Sequence, residues 1–469
     1  MEQNILVLEA STTSAKAMVY GAESGIQCMA AEAYPPGTGG ETQDADAIFA
    51  LLMKLGREAT AGRNIDAVSL GGTWHNLLVC GEDMRPLGRA YTWQWMGARG
   101  LTEELRRDAA HARQLYEKTG CMVHALYPVY KLRYLKEQGM DLRNARVFGQ
   151  GSYNFFRLTG KRWVSASMLS GSGFLNIRER KIDPEMLELA GIPREALGRE
   201  VTFLDTAPLT QEGAGLLGLK SGIPVVPTHP DGALNQVGAL RDGAMTLSVG
   251  TSAALRLSQP KAHTAYEKGL WCYLSPVSWL LGAATSGACN CVDWAKASLF
   301  SGTVSYSELS DAAVDREHLP YFLPFLFGER CPGWQDGRLG GFAQVRPGHT
   351  SLELYHSVLE GVLFNIRQCM DGLTEEAGEP REILVSGGIL KSPVWLKMLT
   401  NILERPVRPD LGEQASLVGG ALLGKKVLQP DFDLQEYGAP VGEALEPDED
   451  AEVYRRRYQE YLEIYRQSV

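Results

Sequence analysis

The sequence predicts an α/β protein of two domains, and three observations support this. Short apolar runs of strand length alternate with helical segments, which is the pattern of α/β folds. The chain has 469 residues and is therefore too long for a single hydrophobic core. A strand-and-turn pattern near residue 10 recurs near residue 250, so we place the two domains at residues 1–240 and 241–469.

The individual elements are predicted from the period of the apolar residues and from the turn residues between them. Strands are expected at residues 5–8, 65–70, 77–80, 91–93, 245–249 and 383–385. Helices are expected at residues 44–58, 101–119, 129–138, 351–370, 393–403, 416–423 and 448–467. The helix at 416–423 is rich in small residues, so it can pack closely against a neighbour.

Composition and charge argue against several classes of function. The net charge is −10 and no basic stripe stands out, which argues against wholesale nucleic-acid binding. The sequence contains no apolar stretch of about 18 residues that would predict a membrane span. The acidic start MEQNILVLEA is unlike a signal peptide. The eight cysteines are scattered and only Cys289 and Cys291 are close, which favours reduced thiols in a cytoplasmic protein.

The most informative segment is VVPTHPDGALNQVGALRDGAMTLSVGTSAALR. In it, Asp231 follows an apolar strand, and the strand at 245–249 ends in Gly250, Thr251 and Ser252. Backbone N–H groups and hydroxyls in such turns bind anions. A carboxylate close to a phosphate-binding turn predicts phosphoryl transfer, with the acid taking the proton of the attacking hydroxyl.

The same device is present near the N-terminus. Glu9 ends an apolar strand, and a turn containing Ser11, Thr12, Thr13 and Lys16 leads into the next strand. One hydroxyl-rich turn is weak evidence, because such residues are common in ordinary turns. Two such turns, each beside a carboxylate, are far more specific and predict two halves of similar design.

Together these motifs resemble the FGGY family of carbohydrate kinases over essentially the whole chain. The matching segments are LEASTTSAKAMVYG, TWHNLLVCGEDMRPLGRAYTWQWMGARG, PVYKL, SVGTS, SGGILKSPVWLKML and EQASLVGGALLG. The resemblance implies a two-domain, actin/hexokinase-type (ribonuclease H-like) ATPase fold with a catalytic cleft between the domains. It also implies ATP and Mg²⁺ as cofactors and a small sugar or sugar acid as partner. A homodimer is left open, and neither nucleic acid nor membrane is expected.

The resemblance assigns roles to individual residues. Asp231 is the expected catalytic base, contacts the substrate and, with Glu9, the metal. The expected cofactor-binding residues are Ser11, Thr12, Thr13, Lys16, Gly250, Thr251, Ser252, Gly387, Gly388 and Ser392. The other expected substrate-binding residues are Trp74, His75, Arg99 and Ser165.

Several of these assignments also have a purely structural alternative. Asp231 could cap the helix that follows it. Glu9 could be a solvated turn residue, and Lys16 could cover a strand edge. The paired glycines of SGGILKS could serve a strand–helix turn that needs positive φ. The Trp-His pair could pack in the core, and Arg99 could face a neighbouring helix.

Departures from the family pattern narrow the expected substrate. Glu9 replaces an aspartate, Ser11 replaces a glycine, and Gly97 and Ser165 stand where carboxylates are usual. A pocket that has lost two carboxylates favours a substrate with its own carboxylate. The segments DGALNQVG, GTSAALR and FGERCPGW lean toward gluconokinases. We therefore expect ATP-dependent phosphorylation of a gluconate-like substrate, with a xylulokinase-like ketose kinase and a non-catalytic sugar- or nucleotide-binding protein as alternatives.

Overall fold

The computed structural model describes residues 2–239, 241–302, 304–412 and 414–468, in which helices and strands alternate. The α-helices are α1 (Ala45–Thr60), α2 (Arg99–Arg106), α3 (Ala109–Thr119), α4 (Pro128–Glu137), α5 (Gln150–Thr159), α6 (Ala166–Ser170), α7 (Pro184–Ala190), α8 (Gln211–Leu217), α9 (Asp231–Gly238), α10 (Cys289–Leu299), α11 (Tyr306–Asp311), α12 (Ser351–Ala377), α13 (Pro393–Leu403), α14 (Ala415–Leu428) and α15 (Ala451–Gln467). The strands are β1 (Asn4–Ala10), β2 (Ser14–Gly21), β3 (Gly25–Ala33), β4 (Thr42–Gln43), β5 (Ala67–Gly72), β6 (Leu78–Cys80), β7 (Ala90–Tyr91), β8 (Arg146–Phe148), β9 (Trp163–Ser165), β10 (Leu175–Asn176), β11 (Lys181–Ile182), β12 (Arg199–Val201), β13 (Ala207–Pro208), β14 (Pro224–Pro230), β15 (Ala244–Val249), β16 (Ala253–Gln259), β17 (Trp271–Leu274), β18 (Trp279–Thr285), β19 (Tyr321–Leu323), β20 (Gly341–Ala343), β21 (Glu382–Ser386) and β22 (Arg408–Pro409).

Two six-stranded sheets of similar topology form the two halves of the molecule. The strand order is β13-β14-β5-β1-β2-β3 in the first sheet and β22-β21-β15-β16-β18-β17 in the second. In each sheet an antiparallel hairpin, β1–β2 or β15–β16, pairs in parallel with the next inner strand, β5 or β21. Because parallel strands end at the same edge, the residues that follow β1, β5 and β14 meet at one edge of the first sheet. This arrangement confirms the predicted two-domain α/β architecture.

Helices α9 and α14 join the two halves through close glycine contacts. A Cβ atom on Gly419 of α14 would lie 2.0 Å from the Leu234 carbonyl oxygen of α9. A Cβ on Gly420 would lie 2.9 Å from Val7 Cγ1 in β1. The small-residue helix predicted from the sequence therefore packs closely, and it does so on the first sheet although it follows the second along the chain.

A second zone of contact joins β17 to the helical part of the first half. The Tyr127 and Tyr273 hydroxyls are 2.7 Å apart, and Ser170 Oγ accepts a hydrogen bond of 2.9 Å from Leu274 N. The halves are thus tied both at α9–α14 and at β17. Within the described ranges, no helix has the length and apolar character needed to cross a membrane.

The predicted elements differ from the structure mainly at their ends. The predicted helix at 101–119 is two helices, α2 and α3, because Asp108 caps α3 by accepting a 3.0 Å hydrogen bond from His111 N. The predicted strand at 91–93 is reduced to the end of β7. The predicted domain limits at residues 1, 240 and 469 fall outside the described residues, so the boundary near 240 stays a prediction.

Candidate active site

Asp231 lies at the carboxyl end of β14, where it is the first residue of α9. Its Oδ1 accepts a 2.7 Å hydrogen bond from Gly232 N. Pro230 occupies the capping position of α9, so Asp231 is not the helix cap that the structural alternative proposed. Its carboxylate faces a group of charged residues from neighbouring strands.

The surroundings of Asp231 make it a weak acid. Burial, followed by the nearby Glu9 carboxylate, raises the pKa of Asp231 to about 6. The same pKa is lowered by the Gly232 N–H, Arg256 and Lys16, but their combined effect is smaller. A carboxylate with a pKa of about 6 is ionised at neutral pH and still basic enough to accept a proton from a hydroxyl.

Glu9 lies near the end of β1, between Lys16 of β2 and Gly71 of β5. Its side chain is 2 % exposed, and its Oε1 lies 3.4 Å from Lys16 Nζ. Its Oε2 is buried without a hydrogen-bond partner in the described part of the chain. A Cβ on Gly71 would lie 3.3 Å from Glu9 Cγ, so the glycine leaves room for this longer acid. Glu9 is therefore a buried carboxylate with one oxygen free for a ligand.

The first predicted phosphate turn closes the β1–β2 hairpin. Ser11 N donates to Ser14 O at 3.0 Å, and Ser11 Oγ donates to the same carbonyl at 2.8 Å. Thr12 Oγ1 accepts a 3.1 Å hydrogen bond from Trp93 Nε1, whereas Thr13 is exposed. Hydrogen bonds thus hold Ser11 and Thr12 in place, whereas Thr13 is accessible to a ligand.

The second predicted phosphate turn closes the β15–β16 hairpin. Gly250 N donates to Ser252 O at 3.0 Å, and the Gly250 carbonyl accepts from Cys289 N at 2.9 Å. Thr251 is exposed at the tip, and a Cβ on Gly250 would meet no atom closer than 4.0 Å. Both predicted turns therefore present small, accessible residues at equivalent places in the two sheets.

Gly388 and Ser392, two of the predicted cofactor-binding residues, border a separate cavity. Gly387 has φ of +97°, and a Cβ there would lie 2.4 Å from Val249 O, so this position requires glycine. Ser392 caps α13 by accepting a 3.3 Å hydrogen bond from Trp395 N. Gly388 and Ser392 line this cavity, which has a volume of about 270 Å³. The positive φ that the structural alternative required is present at Gly387, and the adjacent Gly388 borders this cavity.

Sequence reasoning missed part of this cavity's lining. Tyr306 and Asp293 line it, and the Tyr306 hydroxyl donates to Asp293 Oδ1 at 2.7 Å. Lys391 lines it as well and lies within the recognised SGGILKS motif. Tyr306 and Asp293 carry no comparable local signal, because the fold brings them to the cavity from α11 and α10.

Trp74 and His75 follow β5 and are both largely buried. Trp74 Nε1 donates to Ser167 O at 2.8 Å, and its ring centroid lies 5.1 Å from that of Tyr273. His75 has φ of +63°, and its Nδ1 donates to Gly171 O at 2.5 Å, which leaves Nε2 as an acceptor. Burial, followed by the Arg330 charge, holds the pKa of His75 well below its usual range. His75 is thus a neutral, oriented imidazole.

Lys131 holds the backbone of this loop in place. It is completely buried, and its ammonium donates to the carbonyl oxygens of His75 (2.9 Å) and Thr92. Burial holds the pKa of Lys131 well below its usual range. The lysine of the PVYKL motif therefore supports the left-handed backbone at His75.

Two predicted substrate residues make structural contacts. Ser165 is 1 % exposed, donates to Thr228 O at 2.6 Å and caps α6 by accepting from Met168 N. Its hydroxyl is used in holding α6 against β14. Arg99 is exposed and pairs with Glu103 at 2.9 Å, one turn along α2. Ser165 and Arg99 thus make structural contacts within the described residues, and their role in substrate binding stays a prediction.

Two arginines that sequence reasoning did not select, Arg256 and Arg330, lie in the region of Asp231 and the Trp-His pair. A Cβ on Gly232 would lie 3.0 Å from Arg256 Nη2, which places this guanidinium beside the start of α9. Burial and the neighbouring Arg330 charge lower the pKa of Arg256 to about 10. Both arginines occur in segments, GTSAALR and FGERCPGW, that were noted only as signs of a subgroup.

Comparison with known proteins identifies the family to which the chain belongs. Residues 4–238 match the N-terminal domain of the FGGY family of carbohydrate kinases, and residues 245–426 match its C-terminal domain. The gluconokinase of Bacillus subtilis (strain 168) is 24% identical over 452 residues, which cover 90% of this chain and 87% of that protein. The glycerol kinase of Gloeobacter violaceus is 27% identical, over 87% of this chain and 85% of that protein.

Two crystal structures from Lactobacillus acidophilus are similar over the whole fold. The gluconate kinase has a TM-score of 0.91 and 25% identity, covering 100% of this chain and 98% of that one. The ligand-bound xylulose kinase has a TM-score of 0.92 and 26% identity, covering 99% and 98%. The predicted fold and family are therefore confirmed: the chain belongs to the FGGY family of carbohydrate kinases.

Proposed function

We propose that this ATP-dependent sugar kinase phosphorylates a hydroxyl group of a small, gluconate-like sugar acid. The observation that carries the proposal is the Asp231 carboxylate at the carboxyl end of β14, with its pKa raised to about 6 beside Glu9. It stands at the edge of the first sheet where β1, β5 and β14 end. The acidic substrate is favoured because neither Gly97 nor Ser165 supplies a carboxylate.

In this proposal Asp231 acts as the general base. It takes the proton of the substrate hydroxyl as that oxygen attacks the terminal phosphorus of ATP, and ADP leaves. A positioned carboxylate contributes about 10²- to 10⁴-fold to such a step. The turns at Ser11–Thr13 and Gly250–Ser252 are proposed to hold the phosphates, which aligns the two reactants.

The residues on the first sheet fit Mg²⁺. Glu9 has one buried carboxylate oxygen without a partner in the described residues, and its charge acts on the nearby Asp231. Mg²⁺ normally uses one or two protein carboxylates and completes its shell with phosphates and water. Glu9 and Asp231 would hold the ion, which supplies neutralising charge to the nucleotide phosphates when bound.

The adenosine is proposed to occupy the cavity of about 270 Å³ at α13. Gly387 and Gly388 allow close backbone approach there, and Ser392 and Tyr306 offer hydroxyl groups at its border. A nucleotide in this cavity would point its phosphates toward the neighbouring Gly250 turn, because Gly387 packs directly on Val249.

A xylulokinase-like activity is the second candidate. It is favoured by the likeness to the Lactobacillus acidophilus xylulose kinase, whose TM-score of 0.92 is slightly above the 0.91 of the gluconate kinase. A neutral ketose would then be the substrate, and the pocket would need to bind hydroxyl and carbonyl groups but no carboxylate.

The test is ADP release with Mg-ATP across D-gluconate, D-xylulose and glycerol. We expect the highest kcat/KM for D-gluconate. A strong preference for D-xylulose would show that the substrate is a ketose and not a sugar acid. If no sugar, polyol or sugar acid supports ADP release while Mg-ATP still binds in calorimetry, the chain is a non-catalytic binding member of the family.

A further inference from the structure

Two guanidinium groups in the proposed substrate region have no carboxylate partner. Within the described residues, neither Arg256 nor Arg330 has a carboxylate oxygen within the 4.0 Å of an ion pair, and the Nε atom of each is buried without a hydrogen bond. Other buried arginines behave differently: Arg338 pairs with Glu329 at 3.0 Å and Arg457 pairs with Glu360 at 2.6 Å. The two unpaired cations therefore require an explanation.

Arg256 lies against the residues expected to meet the substrate. It projects from β16, and among the residues that the structure describes its one side-chain hydrogen bond is a weak one to Ser248 Oγ, at 3.5 Å from its Nη1. A Cβ on Gly232 would be 3.0 Å from its Nη2 and 2.8 Å from Trp74 Cζ3. The glycine after the catalytic aspartate thus leaves space in which the guanidinium and the indole meet.

Arg330 approaches the same region from the second half of the molecule. Its Cζ lies 5.9 Å from the ring centroid of Trp93, whose Nε1 donates to Thr12 in the first turn. The charge of Arg330 also acts on His75 and on Arg256. Arg256 therefore lies beside Asp231 and Trp74, and Arg330 lies near Arg256 and His75.

The local balance of charge favours an anion. Glu9 is paired with Lys16, and Asp231 faces Arg256, which in turn feels the charge of Arg330. Two neighbouring cations taken partly out of water repel each other, and an anion placed between them relieves that cost. A carboxylate suits such a site, because guanidinium groups bind it through paired, charge-assisted hydrogen bonds.

We propose that Arg256 and Arg330 form a clamp for the carboxylate of the substrate and so select sugar acids over neutral sugars. The proposal rests on the function proposed above and adds the residues that choose the substrate class. An alternative anion, the terminal phosphate of ATP, shares this chemistry. The contacts of Arg256 with Gly232 and Trp74 favour the substrate carboxylate, since both residues lie on the substrate side.

The test compares D-gluconate with D-glucitol, which carries a CH₂OH group in place of the carboxylate. Binding of each to the full chain is measured by calorimetry without nucleotide, and kcat/KM is then measured with Mg-ATP. The variants are Arg256→Gln, Arg330→Gln and the corresponding Lys substitutions. Arg133→Gln is the matched control, because Arg133 forms an exposed pair with Glu137 on α4.

Each Gln variant should weaken D-gluconate binding by about 10- to 100-fold and leave D-glucitol binding little changed. The Lys variants should retain part of the affinity, since they keep the charge but lose the paired hydrogen bonds. Arg133→Gln should match wild type. Thermal melting of every variant separates lost binding from lost folding, and the Lys variants keep the test decisive where a Gln variant unfolds.

Three results would overturn the clamp. An equal loss for both ligands would mean that the arginines only position Asp231 or the fold. Weaker binding of a non-hydrolysable ATP analogue, with gluconate binding unchanged, would assign the pair to the nucleotide phosphates. Wild-type protein that does not bind D-gluconate would also exclude it. Arginine-dependent gluconate binding without ADP release would instead retain the clamp and refute the kinase proposal.

Discussion

The two sheets share a backbone plan but differ in the side chains at equivalent positions. Glu9 occupies in β1 the place that Ser248 occupies in β15, one register position before the turn of the hairpin. The outer parallel strands β14 and β22 both end in proline and are followed by Asp231 and Asp410. Helices α9 and α14 then follow these aspartates and pack on each other.

The two aspartates show what a neighbouring charge adds to a shared backbone. Asp410 is 7 % exposed, and its Oδ1 accepts from Gly412 N at 2.9 Å, much as Asp231 accepts from Gly232. Burial raises the pKa of Asp410, whereas burial and Glu9 together raise that of Asp231. The repeated fold thus supplies the carboxylate twice. Asp231 has a neighbouring carboxylate, Glu9, whereas no carboxylate among the residues described is a cause of the raised pKa of Asp410. The cavity of about 270 Å³ is lined by residues of the second half.

The largest expected effect distinguishes the two aspartates directly. Asp231→Asn should lower kcat by about 10²- to 10⁴-fold, because an amide keeps the shape but cannot accept the proton. Mg-ATP binding, measured by calorimetry, should remain nearly intact. The matched variant Asp410→Asn should retain wild-type turnover, since Asn can still accept the Gly412 hydrogen bond. Comparable losses in both variants would show that the two halves share the catalytic role.

The next prediction concerns the difference between Glu9 and Ser248. Glu9→Gln should raise the Mg²⁺ concentration needed for half-maximal activity, or lower activity, by about 10- to 100-fold. The substitution removes a charge while keeping the length of the side chain. Glu9→Asp should retain most activity because it keeps the carboxylate. A Mg²⁺ titration that is identical for Glu9→Gln and wild type would place Glu9 outside the metal site.

Several features of the site were accessible to sequence reasoning because they are local. The two turns, the strand before Asp231 and the glycines at 387 and 388 each lie within a short segment whose residue types fit one geometry. Glu9 was selected for the same reason. Ser165 also had a local signal, since serine before a short helix is a common cap, and the expectation of a substrate role outweighed it.

The features that were missed depend on tertiary contacts. Arg256 meets Gly232 and Trp74 only because β16 of the second half faces α9, and its side-chain direction follows the alternation along that strand. Tyr306 and Asp293 meet only where α11 approaches α10. Sequence reasoning expected a cation near the sugar, but it chose Arg99, which occupies the arginine position of the recognised segment at residues 95–99.

The pH dependence should report the Glu9–Asp231 coupling that the second half lacks. Asp231 must be ionised to act as base, so kcat/KM should fall as pH drops through about 6 and level off above it. Glu9→Gln should move this midpoint to lower pH, because a charge that raises the pKa of Asp231 is gone. A profile of kcat/KM between acidic and neutral pH, with enzyme stability followed in parallel, tests this. An unchanged midpoint in the variant would mean that burial alone sets the pKa.

The smallest expected effect concerns Arg99, whose position lies at the contact between the halves. It forms an exposed ion pair with Glu103 at 2.9 Å, and such pairs contribute at most about 1 kcal/mol. Arg99→Gln should therefore change stability and kcat/KM by little, about twofold or less for the latter. Gly337 lies so close to the Arg99 guanidinium that a Cβ there would be 2.2 Å from Nη2. This segment of the second half also carries Arg330. A selective rise in the KM for D-gluconate in Arg99→Gln would therefore show that Arg99 reaches the substrate once both ligands are bound. That result would add a third arginine to the proposed clamp.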